Sequence, residues 1–122
     1  MAVRALRGAV QVDADDRDQV LAAVSELLTE VMRRNDLSAE DMISVLFTAT
    51  PDLRCEFPAV AARQLGITDV PLLCTVEIDV VGAMPRVLRL MAHVESDRSR
   101  HELRHVYLRG AAALRADLDA PQ

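Results

Sequence analysis

The pattern of apolar and polar positions divides the 122-residue chain into alternating strands and helices. Residues 3–12 alternate as in a strand, which places Leu6 and Val10 on the same face. Residues 16–34 carry apolar side chains at three-to-four spacing, which predicts a long amphipathic helix. Aspartates at the start of this segment and arginines at its end complement the helix dipole and support the same interpretation.

The remaining predicted elements are shorter. Pro58 suits the first position of a helix, and Gly66 suits a helix end. The predicted strands cover 42–49, 71–80, 86–94 and 105–108, and short helical segments are expected at 38–41, 58–65, 99–103 and 110–114. The fold class is therefore α/β (α+β-like), with a mixed sheet in a single domain over 1–122. One long helix cannot cover both faces of such a sheet, so we expect the other face to meet another subunit.

Composition and charge exclude several functions. All 14 basic side chains are arginines, which excludes Schiff-base chemistry on lysine and a phosphate-binding P-loop lysine. The net charge of −5 and the aromatic content of 2% argue against nucleic-acid binding. The two cysteines and three histidines match no metal-ligand spacing, so no metal is expected. No apolar run approaches the ~20 residues of a membrane span, and no signal-peptide pattern opens the chain, so we expect a cytoplasmic location.

Three charged residues interrupt otherwise apolar strands: Arg7, Glu77 and Arg89. A buried, unpaired charge costs several kcal/mol, so each of them needs a partner or a ligand. One interpretation is a buried Arg–Glu pair that fixes strand register. The other is a pocket for an anionic ligand with a hydroxyl group, because arginine binds carboxylates through two N–H groups and glutamate accepts from hydroxyls. The chain offers no convincing nucleophile, so an enzyme of this kind would depend on positioning and preorganised charge.

Four other residues are weaker candidates. Cys74 lies on a predicted strand, where a cysteine is usually a small core residue. Arg63 lies on a short helix and would normally be solvated. His105 and Tyr107 occupy alternate positions of a short strand and belong either to the surface or to a pocket.

The chain resembles the AroH-class monofunctional chorismate mutases in a series of segments that follow in the same order. The segments are RGAV around Arg7, TATPDL (48–53), FPA (57–59), PLLCTVEIDV (71–80), RVLRLM (86–91), RHVYL (104–108) and ALRADL (113–118). The resemblance implies rearrangement of chorismate to prephenate in phenylalanine and tyrosine biosynthesis, a Claisen reaction that needs no cofactor. It also implies a homotrimer, built as a pseudo-α/β-barrel of mixed sheet, with active sites between adjacent subunits.

The resemblance further implies roles for individual residues. Arg89 would donate to the substrate's ether oxygen, Arg7 would bind a carboxylate, and Glu77 would accept from the ring hydroxyl. Cys74 would contribute its backbone carbonyl. Further substrate contacts are implied for Phe57, Ala59, Arg63, Leu73, Tyr107, Leu114 and Arg115. Segment 110–117 would act as a mobile cover, and a mobile tail is expected from about residue 116.

One departure from the family concerns Val60, where the family often has a lysine near the site entrance. We therefore expect weaker capture of the substrate rather than loss of the chemistry. Two other functions are compatible with an arginine clamp: a non-enzymatic trimeric module that binds a small dicarboxylate, and a Rid-type enamine/imine deaminase. The ATPDL, CxxE and RHVYL strings do not resemble the Rid-type family.

Overall fold

A computed structural model describes the backbone of residues 1–117 and the side chains of residues 1–114. The strands are β1 (Ala2–Gln11), β2 (Met42–Ala49), β3 (Leu72–Val76), β4 (Val87–Ser96) and β5 (Val106–Leu108). The α-helices are α1 (Arg17–Arg34) and α2 (Ala59–Gln64), and 3-10 helices cover Ala39–Asp41, Arg100–Glu102 and Arg109–Asp117. None of the helices in the described part of the chain is long and apolar enough to cross a membrane.

The five strands form one mixed sheet in the order β3-β2-β4-β1-β5, with β4 at its centre. Strand β4 runs antiparallel to both of its neighbours, β1 and β2. The outer pairs, β1 with β5 and β2 with β3, are parallel. The predicted mixed α/β fold is therefore confirmed.

The main core lies between one face of the sheet and the helices. Leu6 and Val10 of β1 and Phe47 of β2 are fully buried there, together with Leu27 of α1. Gly8 allows α1 to approach β1 closely, because a Cβ atom at this position would lie 3.0 Å from Cδ1 of Leu27. The prediction that Leu6 and Val10 share one face of the first strand is thus confirmed, and this face points to the core.

The opposite face of the sheet is covered only at one end by the described residues. There the 3-10 helix Arg109–Asp117 packs on a second, smaller cluster. Its buried members are Ala9, Val87, Tyr107 and Ala111, with Met84 and Leu114 packed against them. Elsewhere on this face, Val3 and Leu73 are exposed and Leu46 is partly exposed. We call this surface the open face of the sheet.

The prediction of a strand over 71–80 is wrong beyond Val76. Strand β3 lies at the sheet edge and pairs with β2 alone, and the last pair of that ladder joins Ala49 to Val76. After Ala49 the chain turns at Pro51, so a longer β3 would have no strand to pair with. Ile78 is accordingly highly exposed although it continues the apolar alternation.

Asn35 joins the end of α1 to the segment that leads into β5. Its side chain is 1% exposed. The Nδ2 group donates to the carbonyl oxygens of Val31 and Arg104, both at 2.9 Å, and Oδ1 accepts from the backbone N–H of Arg104 at 2.7 Å. This one amide therefore satisfies both backbone groups of Arg104.

We predict that Asn35→Ala destabilises the protein. The substitution removes three hydrogen bonds and leaves the carbonyl oxygen and the N–H of Arg104 without their partner in a partly buried place. The expected loss in the free energy of unfolding is about 2–4 kcal/mol, given ~1–3 kcal/mol for each unsatisfied buried group. Urea unfolding at fixed protein concentration measures this loss. The control Gln64→Ala, at the exposed end of α2, should change stability by less than ~0.5 kcal/mol. A similarly small effect for Asn35→Ala would contradict the prediction.

Candidate active site

Arg89 and Glu77, two of the charges that interrupt apolar strands, meet on the open face. Arg89 lies on β4, opposite Thr48 of β2 and Ala9 of β1. Glu77 directly follows β3, and its backbone N–H donates to the carbonyl oxygen of Ala49 at 2.9 Å. These positions bring Nε of Arg89 to 3.1 Å from Oε1 of Glu77. The predicted Arg–Glu pair therefore exists.

The pair leaves polar atoms unsatisfied. The distance between Arg89 and Glu77 fits an ion pair, but the Nε–H group is not directed at the carboxylate oxygen. Within the described residues, Arg89 Nε, Glu77 Oε2 and Thr48 Oγ1 are all buried without a hydrogen-bond partner. The two charged side chains are nevertheless 39% and 20% exposed, so the pair opens to the surface. This combination is typical of a binding site rather than of a pair that only fixes register.

The environment of Glu77 makes its ionised form costly. Burial raises the pKa of the Glu77 carboxyl above its ordinary value. The positive charge of Arg89 acts in the opposite direction and offsets part of this effect on the pKa. The net shift of the Glu77 pKa is upward, so the loss of solvent around the carboxylate outweighs its attraction to Arg89.

Arg7 and Tyr107 lie on the same face around Ala9. Ala9 is paired with Arg89 on one side and with Tyr107 on the other. Arg7 is two residues before Ala9, and side chains two apart on a strand share a face. Tyr107 is 6% exposed and belongs to the cluster on which Leu114 packs. We call Arg7, Glu77, Arg89, Tyr107 and Leu114 the sheet site.

His105 contacts the backbone of the sheet site. The N–H of Arg7 donates to Nδ1 of His105 at 3.0 Å. Burial lowers the pKa of the His105 imidazole below its ordinary value, and the positive charge of Arg7 lowers this pKa further. Sequence reasoning left His105 undecided between surface and pocket, since no sequence pattern reports a bond to a residue so far away along the chain.

A second group of predicted site residues borders a cleft of about 460 Å³ at the edge of the sheet. Phe57, 67% exposed, and the partly buried Cys74 both line it. The complete lining is Ala49, Pro51, Leu53, Arg54, Cys55, Glu56, Phe57, Pro58, Cys74, Thr75 and Val76. As far as the described residues go, Arg7, Glu77 and Arg89 do not line this cleft. A single chain thus holds two separate parts of the predicted site.

The other predicted contacts lie near the second group or outside the described side chains. Leu73 is 60% exposed on the open face, and Arg63 is exposed on α2. Ala59 is buried, and its side chain packs in the main core rather than at the surface. Arg115 falls in the 3-10 helix Arg109–Asp117, but its side chain lies outside the described residues.

The segment that carries Phe57 is anchored by two acidic residues. Asp15 Oδ1 accepts from the backbone N–H groups of Arg54 and Cys55, each at 3.0 Å. Glu56 pairs with Arg17 at 3.0 Å and also accepts from the N–H of Phe57. These bonds hold an exposed aromatic ring at the mouth of the cleft.

The described residues indicate neither a metal site nor a nucleophilic thiol at Cys55. The described residues contain no group of three or more His, Cys, Asp and Glu side chains arranged to hold a metal ion. Burial raises the pKa of the Cys55 thiol to about 11, and the neighbouring Asp15 adds to this increase. Cys55 therefore remains a thiol at neutral pH and is a poor nucleophile.

Comparison with known proteins decides the family. The family model of chorismate mutase type I matches residues 3–118. The chain belongs to this family. Chorismate mutase AroH of Thermus thermophilus is 44% identical over 121 residues, which cover 98% of this chain and 99% of the relative. Chorismate mutase AroH of Bacillus subtilis (strain 168) is 39% identical over 119 residues, covering 97% and 94%. A solved chorismate mutase from Clostridium thermocellum superposes with a TM-score of 0.89 at 42% identity, covering 90% of this chain and 98% of that one.

The comparisons confirm the family expected from the sequence and, with it, a chorismate mutase, which is an isomerase. They do not favour the two alternatives, a Rid-type deaminase and a non-enzymatic dicarboxylate-binding module. The structural likeness extends over nearly the whole chain, so the sheet belongs to the shared fold.

We predict that the stability difference between the wild type and Glu77→Gln depends on pH. Because the pKa of Glu77 is raised on folding, the folded protein binds this proton more tightly than the unfolded chain. The ionised form therefore weakens the fold above the raised pKa, and this penalty disappears as the pH falls to the ordinary glutamate value. The free energy of unfolding of the wild type should thus rise relative to Glu77→Gln as the pH falls from 7 towards 4.

Urea unfolding of both proteins across this pH range measures the difference. The matched control is Glu40→Gln, which changes an exposed glutamate beside β2 and so measures what the loss of one surface carboxylate does to stability at each pH. A difference for Glu77→Gln that stays constant, or that shrinks on acidification, would contradict the raised pKa.

Proposed function

We propose that the chain rearranges chorismate to prephenate at the sheet site by binding the reactive conformer and stabilising charge, without covalent catalysis. In this Claisen reaction a carbon–oxygen bond of the enol ether breaks while a carbon–carbon bond forms. No proton is transferred, and the ether oxygen gains negative charge in the transition state. The observation that carries the proposal is the Arg89–Glu77 pair with its unsatisfied N–H and carboxylate oxygen.

The two unsatisfied atoms of this pair complement the substrate. Arg89 Nε is a buried donor, and an ether oxygen is an acceptor that strengthens as the bond breaks. Glu77 Oε2 is a buried acceptor, and the ring hydroxyl of chorismate is a donor. Arg89 would therefore stabilise the developing charge, while Glu77 would hold the ring in place. Arg89 extends from β4 and Glu77 from the end of β3, and both strands pair with β2 between them, which keeps their spacing rigid.

Arg7 and Tyr107 would bind the substrate's carboxylates. The planar guanidinium of Arg7 can bind a carboxylate through two N–H groups, which fixes orientation as well as charge. Tyr107 lies on β5, where it pairs with Ala9 of β1. Its hydroxyl would therefore contact a carboxylate that is held beside Arg7. Holding a carboxylate in this way favours the compact conformer in which the reacting carbons approach each other.

The cleft residues would complete the site from a neighbouring subunit of a homotrimer. This proposal is supported by the separation of the two residue groups in one chain and by the exposure of apolar Leu46 and Leu73 on the open face. Phe57, Leu73 and the Cys74 carbonyl would then face the sheet site of the adjacent chain. Ala59 would contribute through its backbone, because its side chain is buried.

The entrance would depend on arginines. Arg63 on α2 and Arg115 beside Leu114 would attract the dianionic substrate. Segment 110–117 would cover the occupied site. Val60 on α2 is uncharged and packs against the main core, whereas the family resemblance implies that a lysine often occupies this position. Substrate capture would therefore be weaker. A cytoplasmic location, in which both cysteines stay reduced, belongs to the same proposal.

We predict that Arg89→Ala lowers the turnover of chorismate about 10²–10³-fold, the usual loss for one donor to a transition-state oxygen. Arg89→Lys should also turn chorismate over slowly, because the point charge of an ammonium group does not replace the planar guanidinium with its several N–H donors. Chorismate disappearance and prephenate formation by the purified protein measure both variants. Arg33→Ala, which removes an exposed arginine of α1, is the matched control and should retain activity. Near-normal turnover in Arg89→Ala would contradict the role of Arg89, and wild-type protein that forms no prephenate would contradict the function.

We also predict that the wild type sediments with three times the mass of one chain. Leu46→Asp, which puts a charge on the open face, should dissociate this assembly and abolish activity, because a buried unpaired charge is costly at an interface. Thr29→Asp adds the same charge to the exposed side of α1 and should leave the trimer intact. Analytical ultracentrifugation would reject the proposed interface if Leu46→Asp remained trimeric.

A further inference from the structure

His105 takes no part in the proposed reaction, yet it is bonded to a residue that does. The backbone N–H of Arg7 donates to its Nδ1 at 3.0 Å. The parallel ladder between β1 and β5 begins one residue later, with Gly8 beside Val106. The imidazole of His105 therefore satisfies the N–H of Arg7 at the point where β1 begins to pair with β5.

The structure holds the imidazole in place from both sides along the chain. Before it, both backbone groups of Arg104 are bound by the buried side chain of Asn35 at the end of α1. After it, Val106 is fully buried in the main core. His105 itself is half-buried. A half-buried ring that extends from an anchored backbone and accepts from the N–H of Arg7 is a preorganised acceptor rather than a mobile surface group.

The chemistry of the ring matches the role of acceptor. A neutral histidine that accepts at Nδ1 carries its proton on Nε2, and a charged histidine accepts at neither nitrogen. Burial and the Arg7 charge both lower the pKa of His105, which favours the neutral form. The geometry and the protonation state are therefore consistent with each other.

We propose that His105 is a positioning residue, whose Nδ1 fixes the backbone at Arg7 and thereby the direction in which the Arg7 guanidinium reaches a substrate carboxylate. The inference rests on the proposed role of Arg7. Small displacements of a binding group are costly, since a shift of about 1 Å can lower a rate ~10²-fold. Losing the Nδ1 acceptor should act on substrate binding first, because Arg7 contacts a carboxylate and not the breaking bond.

The first test compares His105→Asn with His105→Leu. The two replacements have nearly the same shape, but only asparagine offers an acceptor, Oδ1, close to the position of Nδ1. His105→Leu should lower kcat/KM for chorismate roughly 10- to 100-fold, mainly by raising KM. His105→Asn should recover most of this loss. His101→Leu, in the exposed turn before β5, is the matched control and should behave like the wild type.

Equal kinetics of His105→Asn and His105→Leu would overturn the proposal, because the acceptor would then not matter. If His105→Leu fails to fold, the ¹⁵N resonances of the wild-type protein carry the test. The proposal requires an unprotonated Nδ1 and a scalar coupling across the hydrogen bond between the Arg7 amide and this nitrogen. A protonated Nδ1, or no coupling, would refute the proposal.

A double-mutant cycle separates this inference from the proposed function. Arg7→Ala should lower kcat/KM by itself, and adding His105→Leu to Arg7→Ala should then cost little more, since residues that act together are not additive. If Arg7→Ala leaves kcat/KM unchanged, the role of Arg7 in the proposed function fails. If Arg7→Ala is impaired but His105→Leu lowers kcat/KM equally in both backgrounds, only the positioning role of His105 fails.

Discussion

The arrangement of the described residues depends on one constraint: the two α-helices, α1 and α2, cover the same face of the sheet. Both α1 and α2 contribute to the core on one side, where aliphatic side chains fill the space. On the other side the described residues cover only the end beneath the 3-10 helix Arg109–Asp117. A charged side chain in a fully covered sheet would be too costly without a complete set of partners. Arg89 on β4 and Glu77 directly after β3 can keep their charges because they lie on the face of the sheet that the described residues leave open.

The spacing of this charged pair is set by the end of β2. The carbonyl of Ala49 accepts from the N–H of Glu77, and the carboxylate of Asp52 accepts from the N–H of Arg86, three residues before Arg89. Arg86 has a φ of 53°, a left-handed conformation that a non-glycine residue adopts only when its surroundings hold it there. The segment from Ala49 to Asp52 thus fixes the end of β3, next to Glu77, and the start of β4, which carries Arg89. This gives a physical reason for the TATPDL string, whose importance was otherwise only a matter of resemblance.

Periodicity was sufficient for the elements whose partners run alongside them for their full length. Helix α1 buries most of the residues that its apolar spacing predicts, and β1 buries Leu6 and Val10, because these positions lie against the core. The same rule failed at residues 77–80, where the apolar alternation continues but the neighbouring strand has ended. Alternation reports which side chains can face a core, and it contains no information on where a partner strand stops.

The candidate site shows the same limit. The sequence singled out Arg7, Glu77 and Arg89 because charges in apolar strands need an explanation, and Arg89 and Glu77 do form a pair. Their contact depends on strand order and register, which bring residues 12 positions apart in the chain to 3.1 Å. The bond between His105 and Arg7 spans 98 positions and could not be predicted from local pattern. Local chemistry therefore identified the ionisable residues, and topology decided which of them lie together.

The unsatisfied atoms of the site bear directly on how such a pocket favours a transition state. A buried donor or acceptor without a partner raises the energy of the folded protein by roughly 1–3 kcal/mol. A ligand that supplies the missing partners removes this cost on binding. In the proposed reaction the partner for Glu77 Oε2 would be a hydroxyl, which is equally good before and during the reaction and would strengthen binding alone. The partner for Arg89 Nε would be an ether oxygen, which becomes a better acceptor as negative charge develops on it, so this interaction would be stronger in the transition state than in the substrate complex. Only an interaction of the second kind accelerates a reaction, and for that reason the proposed mechanism gives the unsatisfied N–H of Arg89 a larger part in catalysis than the ion pair with Glu77.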